Sequence, residues 1–178
     1  MDKIEYKLSE LITPGRAQAR IKARSKKHAL EILSEMLAEA LPPDPDAPDR
    51  LSLTNSVMEA LVQREKLGST GLGEGIALPH ASLPQLETLG AAVVTLLNPV
   101  DFDAPDGQPV DVMLAFLAPS PASDEHREIL ERTSLVLSRH SGKCPLREAQ
   151  SSTELHSALK CADDAILASY ESAPAEEP

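Results

Sequence analysis

The sequence predicts a single α/β domain, and three observations carry that expectation. Two nearly continuous apolar runs, Ala91 to Leu97 and Val112 to Ala118, have the pattern of strands covered on both faces. Segments before and after them repeat apolar residues at helical spacing, as covering helices must. The chain has 178 residues, enough for one compact domain, and 42% hydrophobic residues supply a core. With aromatic residues at 2% and no Trp, that core has to be aliphatic and rich in alanine.

In order along the chain, Leu8 to Ile12 form a short apolar turn stopped by Pro14-Gly15. Ala17 to Ala23 alternate small or apolar with polar residues, the signature of a strand with one buried face. Arg16, Arg20 and Lys22 fall on its solvated side. Ser25 can cap a helix whose apolar positions Ala29, Leu30, Leu33, Met36, Leu37, Ala40 and Leu41 follow. His28, in its first turn, carries no functional signal. The stretch Pro42 to Asp49, dense in proline and aspartate, ends that helix as a surface loop. A second helix is expected from about Asn55 to Lys66, with Val57, Met58, Leu61 and Val62 inward.

Beyond the first apolar strand, Val100 to Asp103 is a short piece before a turn at Pro105-Asp106-Gly107. After the second strand, Ser123 starts a third helix with His126, Ile129, Leu130, Thr133, Val136, Leu137 and His140 on one stripe. A short helical piece near Cys144–Ala149 precedes a last helix from about Ser152. There Ser151 and Glu154 read as a capping box, Leu155, Leu159 and Ala162 pack, and His156 is exposed. The expected domain is 1–162, with its core over about 8–162, and 163–178 form a flexible acidic tail.

The chemistry centres on the stretch from Arg64 to His80. A helix ends at Gly68, and glycines at 68, 71, 73 and 75 let the backbone turn and approach a bound group closely. Such loops present N–H groups to anions. Pro79-His80 ends the run, so the histidine faces whatever the loop holds. Arg64 suits the C-terminal end of the helix dipole, and it also offers a forked donor matched to phosphate. Composition narrows the partners. A formal net charge of −11 argues against nucleic acid and against docking on anionic membranes. No apolar run approaches the length of a membrane span, and Met1 to Glu5 carry no signal-peptide core, so the expected location is cytoplasmic. Cys144 and Cys161 are read as reduced packing residues, and no cluster of carboxylates and histidines has metal-ligand spacing.

The combination of Arg64-Glu65-Lys66-Leu67-Gly68-Ser69-Thr70-Gly71, Gly73, Gly75-Ile76-Ala77-Leu78-Pro79-His80 and Asp124-Glu125-His126 resembles the enzyme IIA components of the bacterial phosphotransferase system, fructose/mannitol class. Lys26 to Ile32, Asp103 to Asp111 and Arg147 to Ser151 resemble the nitrogen-related branch of that class. The resemblance covers about residues 8–162 and implies a mixed β-sheet flanked by helices on both faces. It implies that His80 accepts a phosphoryl group from an HPr-type phosphocarrier, that His126 is the second active-site histidine and that Arg64 stabilises the phosphoryl group. Ser69, Thr70, Gly71, Gly73 and Gly75 would form the phosphoryl-binding loop, with no metal or cofactor. One departure is Glu128, which stands where the nitrogen-related branch has a further histidine, so any role of that histidine does not carry over.

The implied function is a stoichiometric phosphohistidine carrier that regulates partner proteins, such as potassium-uptake or stress regulators, by its phosphorylation state. The alternative is a sugar-specific subunit that passes phosphate to a IIB component for fructose or mannitol uptake. A metal-dependent hydrolase built on His80 and His126 lacks the carboxylate ligands it would need.

Overall fold

A computed structural model describes residues 7–41, 49–84, 86–121, 123–139 and 145–171. The expected loop at 42–48, His140, Cys144 and the last residues of the tail, 172–178, lie outside the described residues. Among the described residues one mixed sheet of six strands forms the centre. Its strands are β1 (Ala17–Ile21), β2 (Gly71–Gly73), β3 (Ile76–Ala77), β4 (His80–Leu83), β5 (Gly90–Val100) and β6 (Val110–Pro119). The order is β1-β5-β6-β3-β2, and β4 follows β3 along the same side of β6. Pairing is parallel for β1 with β5 and for β3 and β4 with β6, and antiparallel for β5 with β6 and β2 with β3.

The two apolar runs are β5 and β6, neighbours in the middle of the sheet, and alternate residues of each face opposite layers of helices. On one face Ala92, Val94, Met113, Ala115 and Leu117 meet α2 (Lys26–Ala40) and α3 (Arg50–Lys66) through Leu33, Leu37, Val57 and Leu61. On the other, Ala91, Val93, Leu114 and Phe116 meet α1 (Leu8–Leu11), α4 (Asp124–Arg139), α5 (Pro145–Glu148) and α6 (Ser152–Glu171). Burial on both sides explains why neither strand alternates apolar with polar residues.

Four local expectations change. The second helix begins at Arg50 rather than near Asn55, because the Asp49 side chain caps it by accepting the Ser52 N–H at 3.0 Å. In its first turn only Leu53 packs against the core while Leu51 is exposed, so the start shows no apolar stripe. The last helix continues to Glu171, past residue 162 where the tail was placed. Asp163 is fully buried and accepts the Ser9 N–H at 2.7 Å, which ties the first helix to the last. Cys161 is exposed on that helix and not a packing residue. His156 is half-buried, its Nε2 bonded to the Ser9 carbonyl at 2.9 Å, where exposure was expected.

Candidate functional site

The site grows out of the junction between α3 and β4. Leu67 and Gly68 end the helix through N–H bonds to the carbonyls of Arg64 and Glu65. The glycine stretch that follows is a β-hairpin: Gly71 pairs with Ala77 and Gly73 with Ile76. Its two-residue turn has positive φ at both Glu74 (51°) and Gly75 (79°), the condition of a type I′ turn. The local signal was an X-Gly pair between two short runs, which reads as a turn once the flanking residues are seen as strands.

Three N–H groups of this stretch, those of Thr70, Gly71 and Glu74, are spent on the protein's own side chains. Thr70 N–H donates to both carboxylate oxygens of Glu65, at 3.0 and 3.1 Å, and Gly71 N–H to Ser69 Oγ at 3.1 Å. Glu74 N–H donates to Asp106 at 2.7 Å. Gly75 O is held by Val112 N–H and Pro79 O by Phe116 N–H. Four residues of extended β6 therefore separate the turn from the start of β4, about 13 Å. Gly73 and Gly75 thus stand at the far end of the hairpin, beside Asp106, Asp111 and Arg147, and not around His80. Ser69, Thr70 and Gly71 are the near end, but Ser69 Oγ donates to the Phe102 carbonyl at 2.7 Å and Thr70 to Glu65.

His80 opens β4 opposite Phe116. Ala81 and Leu83 point into the layer of α2 and α3, so by strand alternation His80 projects toward the other layer, the side of α4. Its Nδ1 lies 2.9 Å from the Leu78 carbonyl, which can only accept, so Nδ1 carries the proton. Nε2 then holds the lone pair, and it accepts from Arg64 Nε at 3.0 Å. Burial holds the ring's pKa below its ordinary value. The Leu78 carbonyl acts in the opposite sense, and the Arg64 charge adds to the lowering. With Nδ1 donating and Nε2 accepting, the ring carries a single proton and sets its lone pair against a guanidinium. Arg64 also donates from Nη1 to the Gly68 carbonyl at 3.1 Å, so it closes the helix end and reaches the histidine at once.

His126 lies in the first turn of α4, half-buried, three residues before the buried Ile129. Its Nδ1 accepts the Ser123 N–H at 3.2 Å, which leaves Nε2 as the N–H donor. It is on the side of the sheet that His80 faces, but no hydrogen bond joins the two rings. Two residues of the site escaped sequence reasoning. Glu65 is buried beneath the loop, and Lys26, at the start of α2, pairs with it at 2.9 Å. Glu65 adjoins Arg64 in the sequence and lies five residues before its partner Thr70. Lys26 leaves no local trace, because its contacts come from two distant segments, the end of α3 and Phe102-Asp103. Among the described residues, no group of three or more His, Cys, Asp or Glu side chains is placed to hold a metal ion.

Comparison with known proteins gives this geometry its family. The profile of the phosphoenolpyruvate-dependent sugar phosphotransferase system, EIIA 2, matches residues 10–161. A nitrogen regulatory protein of Pseudomonas aeruginosa is 40% identical over 150 residues, covering 84% of this chain and 92% of the relative. One from Escherichia coli is 41% identical over 154 residues, covering 84% and 86%. The crystal structure of the nitrogen regulatory protein IIA-Ntr from Neisseria meningitidis superposes with a TM-score of 0.73 at 31% identity, covering 85% of this chain and 97% of that one. The mixed sheet between two helical layers and these matches together establish that the chain belongs to the EIIA type 2 family of the phosphotransferase system and is a homologue of its nitrogen regulatory members.

Proposed function

We propose that the protein is a phosphohistidine carrier of a nitrogen-related phosphotransferase system, working in the cytoplasm. It accepts a phosphoryl group on His80 from an HPr-type carrier and acts on regulatory partner proteins according to its phosphorylation state. The observation that carries this reading is the fixed ring of His80, with Nδ1–H on the Leu78 carbonyl and the Nε2 lone pair facing Arg64. In the transfer, the Nε2 lone pair attacks the phosphorus of the carrier's phosphohistidine. The carrier's N–P bond breaks, and its electron pair returns to the carrier's imidazole. Nδ1 keeps its proton throughout. Donor and product are both phosphoramidates, so the step calls for positioning and charge neutralisation more than for an external energy source.

Arg64, already 3.0 Å from Nε2, is placed to move onto the phosphoryl oxygens as they arrive. The Nε2–H of His126 supplies a second donor on the face that His80 addresses. The hairpin serves to hold this geometry, with its near end, Ser69 to Gly71, closest to the group. The test is incubation with enzyme I, an HPr-type carrier and phosphoenolpyruvate, followed by mass spectrometry of the acid-labile product. The expected result is one phosphoryl group on His80 and none on a His80→Ala variant. Retained labelling of that variant would overturn the assignment.

A further inference from the structure

Beneath the near end of the hairpin lies a polar cluster, centred on the buried Glu65 and Thr70, that the phosphoryl chemistry does not itself use. Glu65, on the last turn of α3, accepts the Thr70 N–H with both oxygens and the Thr70 hydroxyl at 2.5 Å. Lys26 balances its charge at 2.9 Å, reaches Asp103 at 2.9 Å and the Phe102 carbonyl at 3.1 Å, and stacks 4.6 Å from the Phe102 ring centre. The cluster thus joins the start of α2, the end of α3, the hairpin and the segment before β6. A carboxylate this buried is tolerated because each oxygen is paired.

From Thr70 the hydrogen bonds continue toward the histidine. The Thr70 carbonyl accepts the Leu78 N–H at 2.9 Å, and the Leu78 carbonyl accepts the His80 Nδ1–H at 2.9 Å. We propose that Glu65 is a positioning residue for His80: by clamping Thr70 it fixes the Leu78 peptide, and so holds the imidazole with its proton on Nδ1 and its lone pair on Nε2. The other tautomer would set an Nε2–H against the Arg64 Nε–H, donor facing donor, with no lone pair for a phosphorus atom. Glu65 therefore acts two hydrogen-bonded peptides away from the reacting atom. The proposal rests on His80 being the phosphoryl acceptor.

The two ideas separate in one experiment on the full chain. Nitrogen-15 spectra of the His80 ring in the unphosphorylated protein report its tautomer, and a transfer assay over a range of carrier concentrations reports the reaction. In the wild type, Nδ1 is expected to be the protonated nitrogen. Glu65→Ala should give a mixture of tautomers and lower the rate at saturating carrier by at least roughly tenfold, with half-saturation unchanged. Thr70→Val removes only the hydroxyl and should shift both readouts in the same direction, so it tests the idea even if Glu65→Ala does not fold. Glu65→Gln keeps an oxygen for both Thr70 donors and should preserve the wild-type tautomer. A wild-type tautomer in both Glu65→Ala and Thr70→Val would overturn the positioning role, whatever their rates. Glu65→Gln behaving like Glu65→Ala would also overturn it, by making charge rather than hydrogen bonding the cause. No labelling of the wild type by the carrier would overturn the acceptor reading instead, while the tautomer spectra would still judge Glu65.

Discussion

At the scale of single residues, the site is a competition between donors and lone pairs around one ring. Arg64 serves the end of its own helix through the Gly68 carbonyl and also reaches the histidine of a neighbouring strand, so one guanidinium bridges the helix end and the ring. Arg64→Ala is expected to slow phosphoryl acceptance by roughly a hundredfold, the usual cost of one aligned donor. Its circular dichroism should stay that of the wild type, and an unchanged rate would remove Arg64 from the site. The pH dependence follows from burial. The pKa of His80 is lowered from 6.5, so the folded state binds fewer protons there than the unfolded chain. This ring's contribution to stability is complete above about pH 6.5 and is lost as pH falls through its lowered value. Urea titrations at several pH values should therefore show the wild type losing more stability on acidification than His80→Ala. Acceptance should fall over the same range, because a protonated Nε2 has no lone pair.

At the scale of elements, the hairpin from Gly71 to Ala77 decides where the histidine sits. Its near strand is packed tightly: a Cβ at Gly71 would lie 2.9 Å from the Cβ of Ala104 and 3.0 Å from its Cα. That neighbour includes backbone and cannot swing aside. Gly71→Ala is expected to cost about 1–3 kcal/mol through overpacking, measurable by denaturant unfolding. At the tip, Arg147 donates from Nε to both oxygens of Asp111 at 2.9 Å and from Nη2 to the Glu74 carbonyl. Asp106 takes the N–H groups of Glu74 and Gln108, which hold its carboxyl below the usual range. Two of the stretches that resemble the nitrogen-related branch, Asp103 to Asp111 and Arg147 to Ser151, thus meet at the hairpin tip. In the sequence the glycines read as an anion loop. The structure makes them a turn and two close approaches, because a hairpin also needs positive φ and missing side chains.

At the scale of the whole molecule, β6 is the common wall of two cores and carries β3 and β4 on the side of the candidate site. Leu114, in its middle, is fully buried in the core under α4 and α6. Leu114→Ala is expected to cost about 2–5 kcal/mol, read as a lower denaturation midpoint with an unchanged slope. The first and last described helices are joined by Asp163, whose acceptance of the Ser9 N–H holds α1 against α6. No helix among the described residues is long and apolar enough to cross a membrane.

Read by itself, the sequence determined the α/β class, the two central strands and most helices, and it put Arg64 and His80 at the ends of one motif. Those features are written in local pattern: unbroken apolar runs, helical spacing, a capping serine, an arginine before a glycine-rich stretch. Only the tertiary structure decided what the glycines do, how far Gly73 and Gly75 stand from His80, and which nitrogen of that ring carries the proton. It alone brought Lys26 to Glu65 and Asp103 to the same ammonium. The physical reason is one of range. Periodicity and capping act over a few residues, whereas a buried charge is balanced by whichever segments the sheet brings together. The tautomer of His80 depends on a carbonyl whose position that packing sets.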